Sequence, residues 1–165
     1  MPNRNRAAVQ RAFLLIACMV AQGSYLAAFS PKAPVVTRIA RLDEVASGLA
    51  KALDVPRHVE VIIVERNDLV VSVEPLPTAA DGFRVVFEQR FYERLDEHEV
   101  AAAIAHELGH VWIYSHFPFL QTEALANEIA LRVASRKTME SLYFKLWAYT
   151  GMKGSLEEVL GPAAF

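Results

Sequence analysis

The feature that most constrains how this chain folds is a helix-forming run at Asp96–Tyr114 that carries two histidines four residues apart. Ala101–Ala105 is rich in the strongest helix former, and Asp96 and Glu99 have the spacing of a capping box at a helix N-terminus. The sequence HELGH, at residues 106–110, follows within the same run. We therefore predict one long helix whose surface carries a fixed pair of imidazoles.

The sequence HELGH matches the pattern H-E-x-x-H, which has a direct chemical meaning on a helix. Residues at i and i+4 project from one face, so the imidazoles of His106 and His110 can bind one Zn²⁺. Glu107 is next to the first ligand, where its carboxylate can take a proton from a zinc-bound water and pass it to a leaving amine. The motif predicts one zinc ion per chain and a hydrolytic reaction.

A hydrolytic zinc site needs a third protein ligand, and several residues compete for this role. His116 has the spacing of H-E-x-x-H-x-x-G-x-x-H, but Ile113 stands where that pattern has glycine. Glu123 lies near the start of the next predicted helix, and Glu128 is a further alternative. We favour Glu123, because Asn127, one turn later, can then accept a hydrogen bond from a zinc-bound histidine.

The composition restricts the classes of protein to which the chain can belong. Its 165 residues are enough for one domain, and 53% hydrophobic residues exclude a disordered chain. Because 17 Lys and Arg face 19 Asp and Glu, there is no basic field for nucleic acid, and none is expected as a partner. Cys18 is the single cysteine, so a metal site must use histidine, aspartate and glutamate.

The first thirty residues have the composition of an export signal or membrane anchor. Arg4, Arg6 and Arg11 precede an apolar run from Ala12 to Phe29. Cleavage after Gly23, retention as an anchor, and lipidation at Cys18 are three interpretations of this segment. All three place residues 31–165 outside the cytoplasm, in the bacterial periplasm or at a membrane, facing outward.

Residues 31–165 predict a single α+β domain in the order helix, strands, helices. A 3.6-residue apolar period at Val36–Leu53 indicates an amphipathic N-terminal helix. We expect a three-stranded, mainly antiparallel sheet from segments with strand composition, namely His58–Val64, Leu69–Glu74 and Phe83–Gln89. After the HELGH helix, further helices are predicted at Phe119–Arg136 and Thr138–Thr150, with a short last helix capped by Ser155 and Glu158.

HELGH followed by EALANEIA at residues 123–130 resembles the gluzincin metallopeptidases, most closely the family of the CAAX prenyl protease and HtpX. The similarity runs from about Ile39 to Arg136 and includes Leu53–Pro56, Asn67 and the lead-in Leu95–Ala105. The resemblance implies a small zincin-like domain that acts as a zinc-dependent endopeptidase on protein or peptide substrates. It assigns zinc binding to three residues, catalysis to Glu107 and an orienting role to Asn127; the three zinc ligands are His106, His110 and Glu123.

The chain departs from that family in three places. Asn127 stands where aspartate is usual, twelve residues separate His110 from Glu123 without a long insertion, and residues 67–70 read NDLV in place of Asn-Ala-Phe-Ala. The resemblance also implies that one strand of the sheet lines the cleft and binds an extended peptide. We favour Leu69–Val73 for that strand, with Phe83–Gln89 as the second choice.

Two points stay open in the sequence. A donor for the oxyanion is usual in zinc peptidases, and the candidates are His116, Tyr114, Arg132, Tyr143 and Tyr149. The alternative function is a non-proteolytic zinc-binding module, for peptide binding or assembly, on the same fold. The presence of Glu107 argues against this alternative, because such a module has no need of a general base.

Overall fold

The computed structural model describes residues 36–76, 82–116 and 118–162. The predicted export signal, with Cys18, lies outside the described residues. Within these ranges the chain forms four strands and six helices: β1 Val36–Arg38, α1 Ala40–Ala52, β2 His58–Val64, β3 Val71–Pro75, β4 Gly82–Glu88, α2 Gln89–Tyr92, α3 Glu97–Ser115, α4 Glu123–Ala130, α5 Arg136–Thr150 and α6 Leu156–Leu160. The predicted α+β class is confirmed.

The sheet is mixed, with strand order β1-β2-β4-β3. β1 pairs with β2 and β3 pairs with β4 in antiparallel fashion, but the longest pairing, of β2 with β4, is parallel. The three predicted strands form, and two of the three pairings are antiparallel as expected; the sheet differs from the prediction in its fourth strand, β1, and in the parallel pairing at its centre. The two central strands are nearly continuous apolar runs buried on both faces, which is typical of parallel neighbours, whereas strand order depends on contacts distant in sequence.

The HELGH helix, α3, is the centre of the fold, because 13 of its 19 residues are buried. It packs against α1, α4, α5 and the sheet. The predicted capping box is confirmed: the Asp96 carboxylate accepts from the Glu99 N–H at 2.9 Å, and the Glu99 carboxylate accepts from the Asp96 N–H at 2.8 Å. Fully buried side chains from several elements surround the helix, including Phe87, Phe91, Ile129 and Met139.

Several predicted helix boundaries are corrected by the structure. The helix expected at Val36–Leu53 begins only at Ala40, because Val36–Arg38 pairs with β2 instead. The helix expected at Phe119–Arg136 is reduced to Glu123–Ala130, because the Thr122 hydroxyl caps it by accepting from Leu125 N–H.

The short α2 is not predicted by the sequence; the Glu88 carboxylate caps it by accepting from Phe91 N–H. The capping box of Ser155 with Glu158 does not form, since the Ser155 carbonyl rather than its hydroxyl bonds the first turn of α6. Among the helices of the described ranges, none combines the length and apolar character needed to span a bilayer.

Candidate metal centre

Two consecutive helices bring the predicted zinc ligands together. His106 and His110 project from one face of α3, and Glu123 is the first residue of α4. One carboxylate oxygen of Glu123 lies 3.3 Å from His106 Nε2, and the other lies 3.5 Å from His110 Nε2. One ligand atom from each residue lies within 4.8 Å of the others, so this largely buried group can hold a metal ion.

Gly109 allows α4 to approach α3 closely enough to deliver Glu123. A Cβ at this position would lie 2.5 Å from the Ala126 carbonyl oxygen and 2.9 Å from the Ala126 Cα. Ala126, one turn after Glu123, is itself completely buried. The glycine of HELGH therefore has a packing role that H-E-x-x-H leaves open, and the sequence analysis did not assign it.

The imidazole of His106 is oriented by a buried hydrogen-bond network. Its Nδ1 lies 2.7 Å from Asn127 Oδ1, as predicted from the spacing. Asn127 has no exposed surface, and its Nδ2 donates to the Val159 carbonyl at 2.7 Å. The Tyr143 hydroxyl lies 2.8 Å from Asn127 Nδ2 and 3.0 Å from Oδ1. With Nδ1 engaged in this way, His106 Nε2 is directed towards Glu123.

The imidazole of His110 is oriented by a residue that the sequence analysis missed. Gln121 Oε1 lies 3.2 Å from His110 Nδ1, and Gln121 Nε2 donates to the His110 carbonyl at 3.1 Å. Gln121 is exposed and belongs to the connection before α4. Its position in the sequence could have indicated this role. A long amide side chain two residues before a predicted ligand, in an aromatic-rich segment, can reach back to the preceding helix.

Buried polar atoms without hydrogen-bond partners agree with a group that could hold a metal ion. Glu107 is 3% exposed, and burial raises the pKa of its carboxyl group above the ordinary value. Within the described ranges, one oxygen of Glu107, one oxygen of Glu123 and the Nε2 of His110 make no hydrogen bond of good geometry. Unpaired buried polar atoms are unfavourable, so a metal ion with its water would satisfy a need that the fold itself leaves.

The charges of the metal-free group are set by mutual stabilisation. Burial disfavours the charged form of His106, yet its close contact with the Glu123 carboxylate and the charge of Glu107 raise its pKa to about 9. Burial likewise disfavours the Glu123 carboxylate, but the imidazoles of His106 and His110, 3.3 and 3.5 Å from its oxygens, lower its pKa to about 2. Without metal, a proton on His106 therefore balances the carboxylate, and a cation would take the place of that proton.

A small apolar cavity adjoins the site. His106 and Glu107 form one wall, the segment Leu69–Val71 that leads into β3 forms another, and Leu142 and Leu146 of α5 line it as well. Its volume is about 100 Å³. In the sheet formed by the described residues, β3 lies at one edge and β1 at the other, so the favoured segment Leu69–Val73 includes a strand in the edge position that strand addition needs. The second choice, Phe83–Gln89, is wrong because β4 pairs on both sides.

The rival third ligands lie outside the group. His116 Nδ1 lies 2.8 Å from the Trp112 carbonyl, and the His116 ring stacks on the Trp112 indole at a centroid distance of 4.0 Å. Glu128 is exposed on α4, away from the buried face that carries Asn127. Glu123 is therefore the residue that joins the two histidines.

The proposed oxyanion donors are mostly engaged in other contacts. Tyr149 donates to Glu88 at 2.6 Å, Arg132 lies over the Trp112 ring, and the Tyr114 ring contacts Phe83 edge-on. Tyr143 lines the cavity, but its hydroxyl is bonded to Asn127. Its contacts make Tyr143 a support for Asn127.

Comparisons with known proteins leave the site to be interpreted from its own chemistry. No protein-family model, curated protein or solved structure matches the chain. Two imidazoles and one carboxylate, with a buried glutamate beside them, are the observations from which a function is inferred.

Proposed function

We propose that this protein is a zinc-dependent endopeptidase of the gluzincin type, with a small zincin-like domain similar to that of the CAAX prenyl protease and HtpX family. The observation that carries the proposal is the convergence of His106, His110 and Glu123 with Glu107 buried beside them. Two nitrogen donors and one oxygen donor suit Zn²⁺ better than Ca²⁺ or Mg²⁺, which prefer sets of oxygen ligands. Three protein ligands also leave a fourth position open for water.

The reaction assigned to the site is hydrolysis of a peptide bond. Zinc, when bound, lowers the pKa of a coordinated water and polarises the substrate carbonyl. Glu107 accepts a proton from the attacking water and donates it to the leaving amine. Its burial supports this double role, because a raised carboxyl pKa brings the proton-accepting and proton-donating forms closer in energy. Asn127 and Gln121 keep the two imidazoles oriented.

The proposed substrate is an extended segment of protein or peptide, outside the cytoplasm. Support for an extended segment comes from β3, an edge strand among the described strands that can accept a further strand. The cavity between β3 and α5 supports an aliphatic side chain next to the scissile bond. Its volume is about 100 Å³, and Leu142 and Leu146 contribute to its apolar lining.

The decisive experiment is the substitution Glu107→Gln. We expect the variant to bind one zinc per chain and to lose hydrolysis by at least about 10²-fold, because the amide cannot accept the proton of the water. Unfolded casein and a mixture of fluorogenic peptides with aliphatic residues at varied positions serve as substrates. Glu128→Gln, an exposed glutamate on α4, is the matched control and should retain full activity.

Two outcomes would count against the proposal. Hydrolysis that persists in Glu107→Gln would remove this residue from the reaction. Zinc binding by the parent chain without hydrolysis of either substrate would favour the non-proteolytic peptide-binding or assembly module instead.

A further inference from the structure

The C-terminal part of the described chain reaches the metal centre through one backbone carbonyl. The carbonyl of Val159, in the last turn of α6, accepts from Asn127 Nδ2 at 2.7 Å. Carbonyls in the last turn of a helix have no partner within the helix, so this one is available to a side chain. The other end of the same amide lies 2.7 Å from His106 Nδ1. One side chain thus joins the end of α6 to a proposed zinc ligand.

This contact explains why residue 127 is asparagine. Because Nδ2 must face the Val159 carbonyl in order to donate, Oδ1 is turned towards His106 Nδ1. An aspartate would place a carboxylate oxygen 2.7 Å from a carbonyl oxygen, with no hydrogen between them. The asparagine at this position is therefore matched to the carbonyl behind it, and the orientation of His106 depends on where that carbonyl lies.

Arg136, the first residue of α5, contacts the last residue of α6 and the two residues that follow it. Its guanidinium donates to three successive backbone carbonyls, those of Leu160, Gly161 and Pro162, at 3.1, 2.6 and 3.1 Å. Its Nε also pairs with Glu140 at 3.0 Å. Gly161 has φ of 70°, a conformation that glycine adopts without strain, and this turn presents the carbonyls to the arginine. Few residues other than arginine can supply several donors in a fixed plane.

We propose that Arg136 is a positioning residue for the metal centre. By binding the carbonyls of residues 160–162 at the end of α6, it holds the Val159 carbonyl against Asn127, and Asn127 in turn holds His106 in the orientation that a metal ion requires. The coupling runs from Arg136 through residues 159–162 to Asn127, and from Asn127 to His106. The inference rests on the proposed metal site but does not depend on hydrolysis.

The test is the zinc affinity of Arg136→Gln, measured on the purified full chain by competition with a chelating dye, well below the Tm of each variant. We expect the Kd for zinc to rise about tenfold, the lower end of the range for residues that orient a metal ligand. Arg136→Lys, which keeps the charge but has a single donor group, should give a smaller rise and serves as the deciding variant if Arg136→Gln does not fold. Lys137→Gln, an exposed neighbour on the same helix, should change Kd less than twofold.

The outcomes separate a positioning role from a merely structural one. If Arg136→Gln and Arg136→Lys lower the Tm but leave the Kd for zinc unchanged, Arg136 stabilises the fold only and the proposal is wrong. A raised Kd in a chain that hydrolyses no peptide would support the coupling and reject the endopeptidase. Hydrolysis by the parent chain, together with an unchanged Kd for zinc in the Arg136 variants, would support the endopeptidase and reject the coupling. A parent chain that binds no zinc would overturn both.

Discussion

The two histidines of the metal centre are supported by different kinds of structure. His106 is held by Asn127, a side chain without exposed surface that also bonds Tyr143 and the end of α6. His110 is held by Gln121, an exposed side chain in the connection before α4. One histidine is therefore tied to the folded core, and the other to a segment that water can reach. The difference indicates that the two supports contribute unequally to metal affinity and to stability.

We expect the largest effect on zinc affinity from Gly109→Ala, because it displaces Glu123 from both histidines at once, whichever residue supports them. The new Cβ would lie within 3.0 Å of three backbone atoms of Ala126, so α4 must shift and carry Glu123 away from both imidazoles. We expect a loss of about 1–3 kcal/mol in the free energy of unfolding, as for other overpacked cores. Zinc affinity should fall by more than about 10²-fold, to be measured by chelator competition alongside thermal denaturation.

Gly48→Ala is the matched control for that change. Gly48 lies in α1 with nothing within 4 Å of an added Cβ. Alanine should stabilise this helix by about 0.5–1 kcal/mol without changing zinc affinity. If Gly109→Ala behaved like Gly48→Ala, the proposed contact between α3 and α4 would be wrong.

A pair of truncations sharpens the comparison between the two supports. Asn127→Ala leaves the Val159 carbonyl and the Tyr143 hydroxyl without their buried partner, so we expect a loss of about 2–5 kcal/mol in stability and 10–100-fold in zinc affinity. Gln121→Ala leaves groups that water can solvate, so stability should change by less than about 0.5 kcal/mol and zinc affinity by up to about tenfold. Equal losses of stability and of zinc affinity in the two variants would contradict the distinction between a buried and an exposed support.

The smallest expected effect concerns the pH dependence of the metal-free protein. The raised pKa of His106 stabilises the fold fully below about pH 6.5, and this contribution disappears as the pH rises through about 9. The lowered pKa of Glu123 stabilises the fold above about pH 4.5, and its contribution disappears as the pH falls through about 2. The parent chain should therefore exceed Glu123→Gln in stability most clearly between about pH 4.5 and 6.5, in denaturant titrations with metal removed. A difference that grew above pH 9 would contradict the assigned charges.

The sequence predicts those parts of the site that depend on local spacing. HELGH places two imidazoles on one helical face, and the short interval to Glu123 predicts an antiparallel return; the structure brings all three residues together. Asn127 follows from the same spacing, one helical turn beyond Glu123. The capping box at Asp96 is equally local and is confirmed.

The parts that the sequence does not predict depend on contacts between distant segments. The parallel pairing of β2 with β4 and the place of β3 at one edge of the described sheet depend on contacts between segments distant in sequence, which no local pattern encodes. The Val159 carbonyl is a backbone atom, so no residue type marks it as a partner of Asn127. Gly109 resembles an ordinary helix-breaking residue until the position of Ala126 is known.

The edge position of β3 also affects how this protein avoids pairing with other chains. An edge strand without a neighbour among the described residues, like the one proposed here to bind substrate, can equally accept a strand from a second molecule, which is a route to aggregation. β3 limits this risk in three ways: it has only five residues, Glu74 places an exposed charge near its end, and Pro75 has no N–H to offer a new neighbour. The strand is long enough to align a short peptide, yet too short to nucleate an extended intermolecular sheet.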